Sequence, residues 1–241
     1  MQSSTSNNAD QAFVQVLGFL VMMIIMGGIV FIISLIMMFT PLGQIISVLM
    51  GDKWAWHLSR STSVVGYLLL TGSVAWGLIL STRISKEVTP PPMALAIHRF
   101  VSWMALGFGG LHGFLLLFDG FYKFSLFNLL IPFTGPYMPG AVGLGVIGMY
   151  IMWLTSASFA WKSWLGQKNW KRLHMLTFPA YGLVTLHGIL AGTDSSGAGM
   201  QLVYLGSVVT VLFLTNYRLI VGRTTDKKKA RPKKAVVSGA K

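Results

Sequence analysis

The sequence predicts an all-α membrane protein: a six-transmembrane-helix bundle with N- and C-termini cytoplasmic. Three observations carry this expectation: an apolar composition, six long apolar runs, and basic residues confined largely to alternate loops. Of 241 residues, 54% are hydrophobic and only 10% charged, against roughly 25% charged in soluble domains. The mean hydropathy is +0.65. Soluble globular classes are thereby excluded, as is disorder away from the ends. The length suits one bundle of about half a dozen spans at ~20 apolar residues each and leaves no room for a second folded domain.

Residues 1–11 are polar, with Asp10 their one charge. Without a basic n-region, a cleaved signal peptide is not expected. The first apolar run, 13–39, is too long for a signal h-region and reads as the first span. Five more runs follow at about 63–82, 94–118, 140–161, 173–192 and 200–221. The chain thus divides into a polar N-terminus (1–11), the bundle (12–222) and a basic tail (223–241) expected to be disordered and able to touch anionic lipid. Residues 40–60 look like a short interfacial helix, with Trp54 and Trp56 at headgroup depth. Residues 119–139 are aromatic and proline-broken, and form either a lid over the outer end of the bundle or an interfacial loop.

Orientation follows from the Lys/Arg distribution. The chain holds 19 Lys+Arg against 6 Asp+Glu, a formal charge of +13. The tail carries Arg223, Lys227, Lys228, Lys229, Arg231, Lys233, Lys234 and Lys241. The loop before the fifth span carries Lys162, Lys168, Lys171 and Arg172, and the loop before the third carries Arg83 and Lys86. Six spans put these segments on one side with the N-terminus, and that side is the cytoplasm. The opposite side has Lys53, Arg60 and Lys123 beside Asp52, Asp119 and Asp194. The basic balance therefore reports topology rather than a nucleic-acid partner. Absent cysteine excludes disulfides, thiolate zinc sites, iron–sulfur clusters and c-type haem attachment. Gly143-Leu-Gly145-Val-Ile-Gly148 fits G-x-G-x-x-G but lies in an apolar span with no preceding strand. Close helix packing explains it better than a dinucleotide.

Four of the five histidines (His98, His112, His174, His187) fall within expected spans, where no Asp or Glu lies. Ionisable groups inside a membrane point to function. His98 and His112 are fourteen residues apart on the third span. They face one way to within about 40° and stand about 21 Å apart along the axis. His174 and His187 are thirteen apart on the fifth span, about 19.5 Å. Both spans run outward, so His98 matches His174 in depth and His112 matches His187. On an ideal helix, thirteen steps leave His174 and His187 about 140° apart, and Pro179 between them is the expected source of a correction.

Neutral imidazole ligates haem iron, zinc and copper. Two-histidine sites are poor for zinc, and a proton relay would usually include a carboxylate. Two haems, each held by two histidines, fit the spacing and the apolar surroundings. Gly109 and Gly110, with Gly182 on the fifth span, would give the rings space, as would Gly107, Gly113 and Gly188. Satisfied structural histidines are the rival reading. His57 reads as an ordinary interfacial histidine. Arg60 and Arg99 stand at span ends where an arginine could meet a haem propionate, although Arg99 is as well explained by snorkelling. Lys171 and Arg172 could do the same inside, where topology alone also accounts for them.

The paired pattern resembles the ferric reductase-like transmembrane domain, a family that includes NADPH oxidases, ferric reductases and the haem subunit of periplasmic methionine sulfoxide reductase. The resemblance runs from about Trp56 to Leu219. It is carried by WHLSRSTSVVGYLLL (56–70), HRFVSWMALGFGGLHGF (98–114) and WKRLHMLTFPAYGLVTLHGILAGTDS (170–195), and is nearest to stand-alone bacterial members. It implies two b-type haems, His98 with His174 inside and His112 with His187 outside, and electron flow from cytoplasm outward. It also implies Arg60 near the outer haem. The sequence departs from the oxidase pattern in having no flavin or nicotinamide domain after the last span. The donor is then expected to be separate: a flavoprotein, a flavin bound at the inner face, or membrane quinol. An acceptor is expected at the outer face of a plasma (inner) membrane, with lipid as the surrounding partner. The competing expectations are an accessory subunit of a larger membrane redox or photosynthetic complex, a histidine-based transporter, and a haem-free structural protein.

Overall fold

The computed structural model describes residues 45, 51, 53–82 and 89–230, with side chains through 221. The first expected span (13–39), the polar N-terminus, the loop bearing Arg83 and Lys86, and the tail from 231 lie outside the described residues. Within them all regular structure is helical: α1 (Trp54–Thr82), α2 (Pro91–Leu115, continued by the 3-10 turn Leu116–Phe118), α3 (Leu126–Leu130), α4 (Pro139–Ala157), α5 (Lys162–His174), α6 (Thr177–Ala191) and α7 (Ala198–Ala230). Five stretches are long and apolar enough to cross a membrane: Trp54–Thr82, Pro91–Phe118, Pro139–Ala157, Lys162–Ala191 and Ala198–Val221. They correspond to the second to sixth expected spans.

Three boundaries differ from the sequence expectation. Trp54, Trp56 and His57 belong to α1 rather than to a separate interfacial helix. The chain breaks earlier, at Gly51, which takes a left-handed φ of 76° and whose carbonyl accepts the Trp54 N–H at 3.2 Å. The basic stretch before His174, expected as a loop, is helix α5 interrupted at Gly166 (φ 72°, ψ 154°). Its Lys, Gln, Arg and Leu residues are good helix formers, and glycine supplies the one conformation they cannot. Finally, α7 continues past Gly222 to Ala230, so the basic segment begins as helix. Cations at a helix C-terminus complement its dipole.

The fifth span is broken between α5 and α6, and Pro179 explains how. It is the third residue of α6, where a missing N–H costs nothing. Lacking that N–H, it cannot bond the Met175 carbonyl four residues back. The Met175 carbonyl instead accepts from the Phe178 N–H at 3.2 Å, and the Leu173 carbonyl from the Leu176 N–H at 3.0 Å. Such three-residue turns advance about 120° per residue instead of about 100°. The added rotation has the sign needed, since thirteen ideal steps fall about 140° short of four full turns.

Packing is by pairs: α2 lies on α1, α6 lies on α4, and α7 closes against α1. Gly66 lets α1 approach within 3.3 Å of the Gly109 backbone, measured from where its Cβ would stand. Gly148 does the same for α4, where a Cβ would meet Val184 Cγ2 at 2.8 Å. Small residues serve this purpose where lipid provides no hydrophobic drive between helices. Between the pairs lies a core that includes Leu70, Val74, Leu78, Leu106, Met152 and Ala180. Its hydroxyls are satisfied locally: Thr185 donates to the Tyr181 carbonyl at 2.8 Å, and Tyr67 and Tyr181 share a hydroxyl contact at 3.3 Å.

Residues 119–139 fold back onto the outer end. Ser125 and Asn128 cap α3 reciprocally, Tyr150 of α4 donates to the Leu130 carbonyl, and Tyr137 donates to the Ala191 carbonyl of α6 at 3.2 Å. Phe133 packs on Gly143, where any Cβ would collide with its ring.

Candidate functional site

The structure brings the four span histidines together in two pairs. The rings of His98 and His174 have centroids 6.1 Å apart at an interplanar angle of 82°. Those of His112 and His187 are 6.2 Å apart at 63°. His98 and His112 stand on α2, whose main packing is on α1, while His187 stands on α6, whose main packing is on α4, and His174 is the last residue of α5. The imidazoles therefore reach across a seam between two helix pairs, at two depths about 21 Å apart along α2.

What stands behind each ring follows from the local chain. His112 lies in the last turn of α2, where carbonyls lose their helical partners. The Ser59 hydroxyl donates to the His112 carbonyl at 3.0 Å. His112 Nδ1 lies 2.9 Å from the Ser59 carbonyl and 2.9 Å from Ser59 Oγ. A carbonyl can only accept, so Nδ1 carries the proton and Nε2 is the bare nitrogen. His187 repeats the arrangement, with Nδ1 2.9 Å from the Ala141 carbonyl of α4. Gly145, one turn on, makes room for the ring, since a Cβ there would lie 2.8 Å from His187 Cγ and Nδ1.

The inner pair is held differently. His98 lies against Gly77, whose Cβ would stand 3.1 Å from His98 Cε1. His98 Nδ1 faces the Ser73 backbone without completing a hydrogen bond. The His98 carbonyl accepts from Ser102 Oγ at 2.7 Å, and Ser102 meets Ser73 Oγ at 2.6 Å. His174 stacks on Trp170, with centroids 5.2 Å apart and planes 15° apart. The buried atoms His98 Nδ1, His174 Nδ1 and Trp170 Nε1 have no hydrogen-bond partner. Lys162 and Arg99 surround this end, Lys162 Nζ 4.7 Å from the Trp170 ring and the Arg99 guanidinium 4.6 Å from Phe159.

The ring separations can be set against what a metal shared by two imidazoles would require. A metal about 2.0–2.1 Å from one nitrogen of each ring, in line, puts the centroids about 6.3–6.5 Å apart. Both observed separations lie within a few tenths of an ångström of that. Among the described residues no group of three or more His, Cys, Asp or Glu could hold a metal ion, so each pair offers two protein ligands only.

Other residues singled out from sequence lie elsewhere. Gly109 and Gly110 face Met149 of α4 rather than an imidazole, and Gly182 has nothing within 4 Å of where its Cβ would stand. Arg60, one residue from Ser59, forms an ion pair with Asp194 of the α6–α7 turn and covers the Trp56 ring at 4.1 Å. His57 is exposed. Ser59, Ser73 and Gly77 were not singled out from the sequence, and Gly145 was expected only to allow close helix packing. A signal existed for the serines: Ser59 and Ser73 are fourteen residues apart on one helix, as are His98 and His112 on its antiparallel neighbour. No family model, curated protein or solved structure matches this chain.

Proposed function

We propose that this chain carries two b-type haems, His98 with His174 towards the cytoplasm and His112 with His187 towards the outer face, and conducts electrons across the membrane. This is the reading that the ferric reductase-like resemblance anticipates. The observation that supports it most is the two pairs of imidazoles, each with ring centroids near the separation a shared metal would need.

Haem iron supplies reversible one-electron chemistry at each level. The chain's own part is to fix the sites. The four imidazoles would be the protein ligands of the two haems, and with both histidines of each pair so engaged, electron transfer is favoured over binding of oxygen at iron. On the outer pair, the Ser59 and Ala141 carbonyls lock the tautomer that presents Nε2. The apolar helices around the seam keep water away and hold the two levels at tunnelling range of one another. The chain sits in the plasma membrane of a bacterium, with basic segments and termini in the cytoplasm. A separate flavoprotein, a flavin or quinol delivers electrons at the inner end. There a cleft of about 450 Å³ is lined by Phe159, Lys162, Ser163, Gly166 and Gln167. An acceptor draws them at the outer end, beside the folded-back segment 119–139.

Replacing the ligands separately tests this. His98→Ala and His112→Ala are each expected to retain about half of the wild-type haem per chain, and the double variant almost none. Unchanged haem in either single variant would contradict the assignment.

A further inference from the structure

The inner end of the bundle carries cations without anions. Of the described side chains the only carboxylates are Asp119 and Asp194, both at the outer end, and the one ion pair among the described residues joins Asp194 to Arg60. At the inner end stand Arg99, Lys162, Lys168, Lys171, Arg172 and Arg218. Arg99 and Lys162 lie against aromatic faces instead. The Arg99 guanidinium is 4.6 Å from the Phe159 ring centre, and Lys162 Nζ is 5.4 Å from that of Phe159 and 4.7 Å from that of Trp170. An aromatic face holds a cation in place without neutralising its charge. The cleft of about 450 Å³ opens here, between the turn after α4 and the kink of α5 at Gly166, with Lys162, Ser163 and Gln167 on its walls. Beside it Trp170 Nε1 is buried with no acceptor.

We propose that this cleft seats the phosphate of an anionic membrane phospholipid, with Lys162 as its main contact. An ammonium beside a hydroxyl and a carboxamide offers charge and donors together, which is what a phosphate group needs. The depth suits a lipid. The apolar helix α4 ends at Ala157, two residues before the cleft begins, and span ends lie at headgroup level. Trp164, next to Ser163, is 85% exposed, as tryptophans of an interfacial belt are. Phe100, next to Arg99, is 66% exposed and offers apolar surface to an acyl chain. Basic pockets between spans on the cytoplasmic side are headgroup sites. This inference needs the membrane but not the haem, so it stands or falls apart from the proposed function. The phosphate of a soluble flavin shares the chemistry, and the experiment separates the two sources.

Native mass spectrometry of the full chain, purified in mild detergent and stripped of lipid, tests this with phosphatidylglycerol against phosphatidylcholine of identical acyl chains. One phosphatidylglycerol per chain should bind well ahead of any phosphatidylcholine. Lys162→Gln should weaken it at least about tenfold, as loss of a hydrogen bond to a charged group does. Lys168→Gln removes the same charge from an exposed lysine of the same helix outside the cleft. It should weaken binding by no more than about fivefold, the share of one basic residue in a surface field. Replacing Lys227, Lys228 and Lys229 together by Gln should keep the first lipid, and its loss there would give the site to the tail instead. Equal losses in Lys162→Gln and Lys168→Gln, or equal binding of the two lipids, would overturn the inference. So would displacement of phosphatidylglycerol by inorganic phosphate or flavin mononucleotide, which would assign the cleft to a soluble phosphate. Haem is read in the same spectra. If Lys162→Gln loses haem and keeps the lipid, the ammonium serves the porphyrin and the inference fails.

Discussion

Ser59 shows what a small polar residue does inside a membrane bundle. Its hydroxyl satisfies a carbonyl that the end of α2 leaves open, while its own carbonyl takes the His112 Nδ1–H. The hydroxyl and the carbonyl thus have separate tasks, and a substitution can separate them. Ser59→Ala removes the hydroxyl and keeps the carbonyl. It should cost about 1 kcal/mol of stability, the net worth of one hydrogen bond, and leave haem content near wild type. Thermal unfolding of the detergent-solubilised protein with parallel haem assay checks both. At this scale the histidines were legible because fourteen-residue spacing returns to one helix face. Gly77 and Gly145 were not, because a glycine in an apolar run announces close approach without saying to what. Gly109 and Gly110 look equally suitable in sequence and meet Met149 instead.

Among the elements, the fifth span is the instructive one. Its histidines are out of register on an ideal helix, and the sequence showed both the misfit and its agent, Pro179. What it did not show was the form of the correction. Pro179 does not kink a continuous helix. It starts α6, and the turn before it tightens because the Met175 carbonyl has lost its usual donor. Pro179→Ala restores that donor and allows an uninterrupted α-helix from α5 into α6. The His174 ring should then swing away from His98, with loss of about half the haem while His112 and His187 keep theirs. Full retention of both haems in Pro179→Ala would show that the turn is set elsewhere. The helical character of 162–174 was hidden for a different reason. Its charges read as a loop by topology, and only Gly166, adopting φ 72°, accommodates both a helix and a break.

For the whole molecule, composition pointed to a membrane protein, and five stretches long and apolar enough to cross a membrane correspond to five of the six expected. The packing into an α1–α2 pair and an α4–α6 pair could not be read from the sequence, since every span is apolar nearly all round and no face declares its partner. The side occupied by each end follows from the Lys/Arg distribution and from the span expected at 13–39. Both termini should lie in the cytoplasm. A C-terminal fluorescent-protein fusion should glow and a C-terminal alkaline phosphatase fusion should be inactive, with an N-terminal tag protected from protease added outside intact cells. A protected C-terminus with an accessible N-terminus would mean an odd number of spans.

The central claim is that the seam between the helix pairs holds haem on four histidines. Haem content and a reduced-minus-oxidised spectrum of the purified full chain test it most directly. About two b-type haems per chain, low-spin in both oxidation states, are expected. A colourless chain after expression with ample haem would contradict the account.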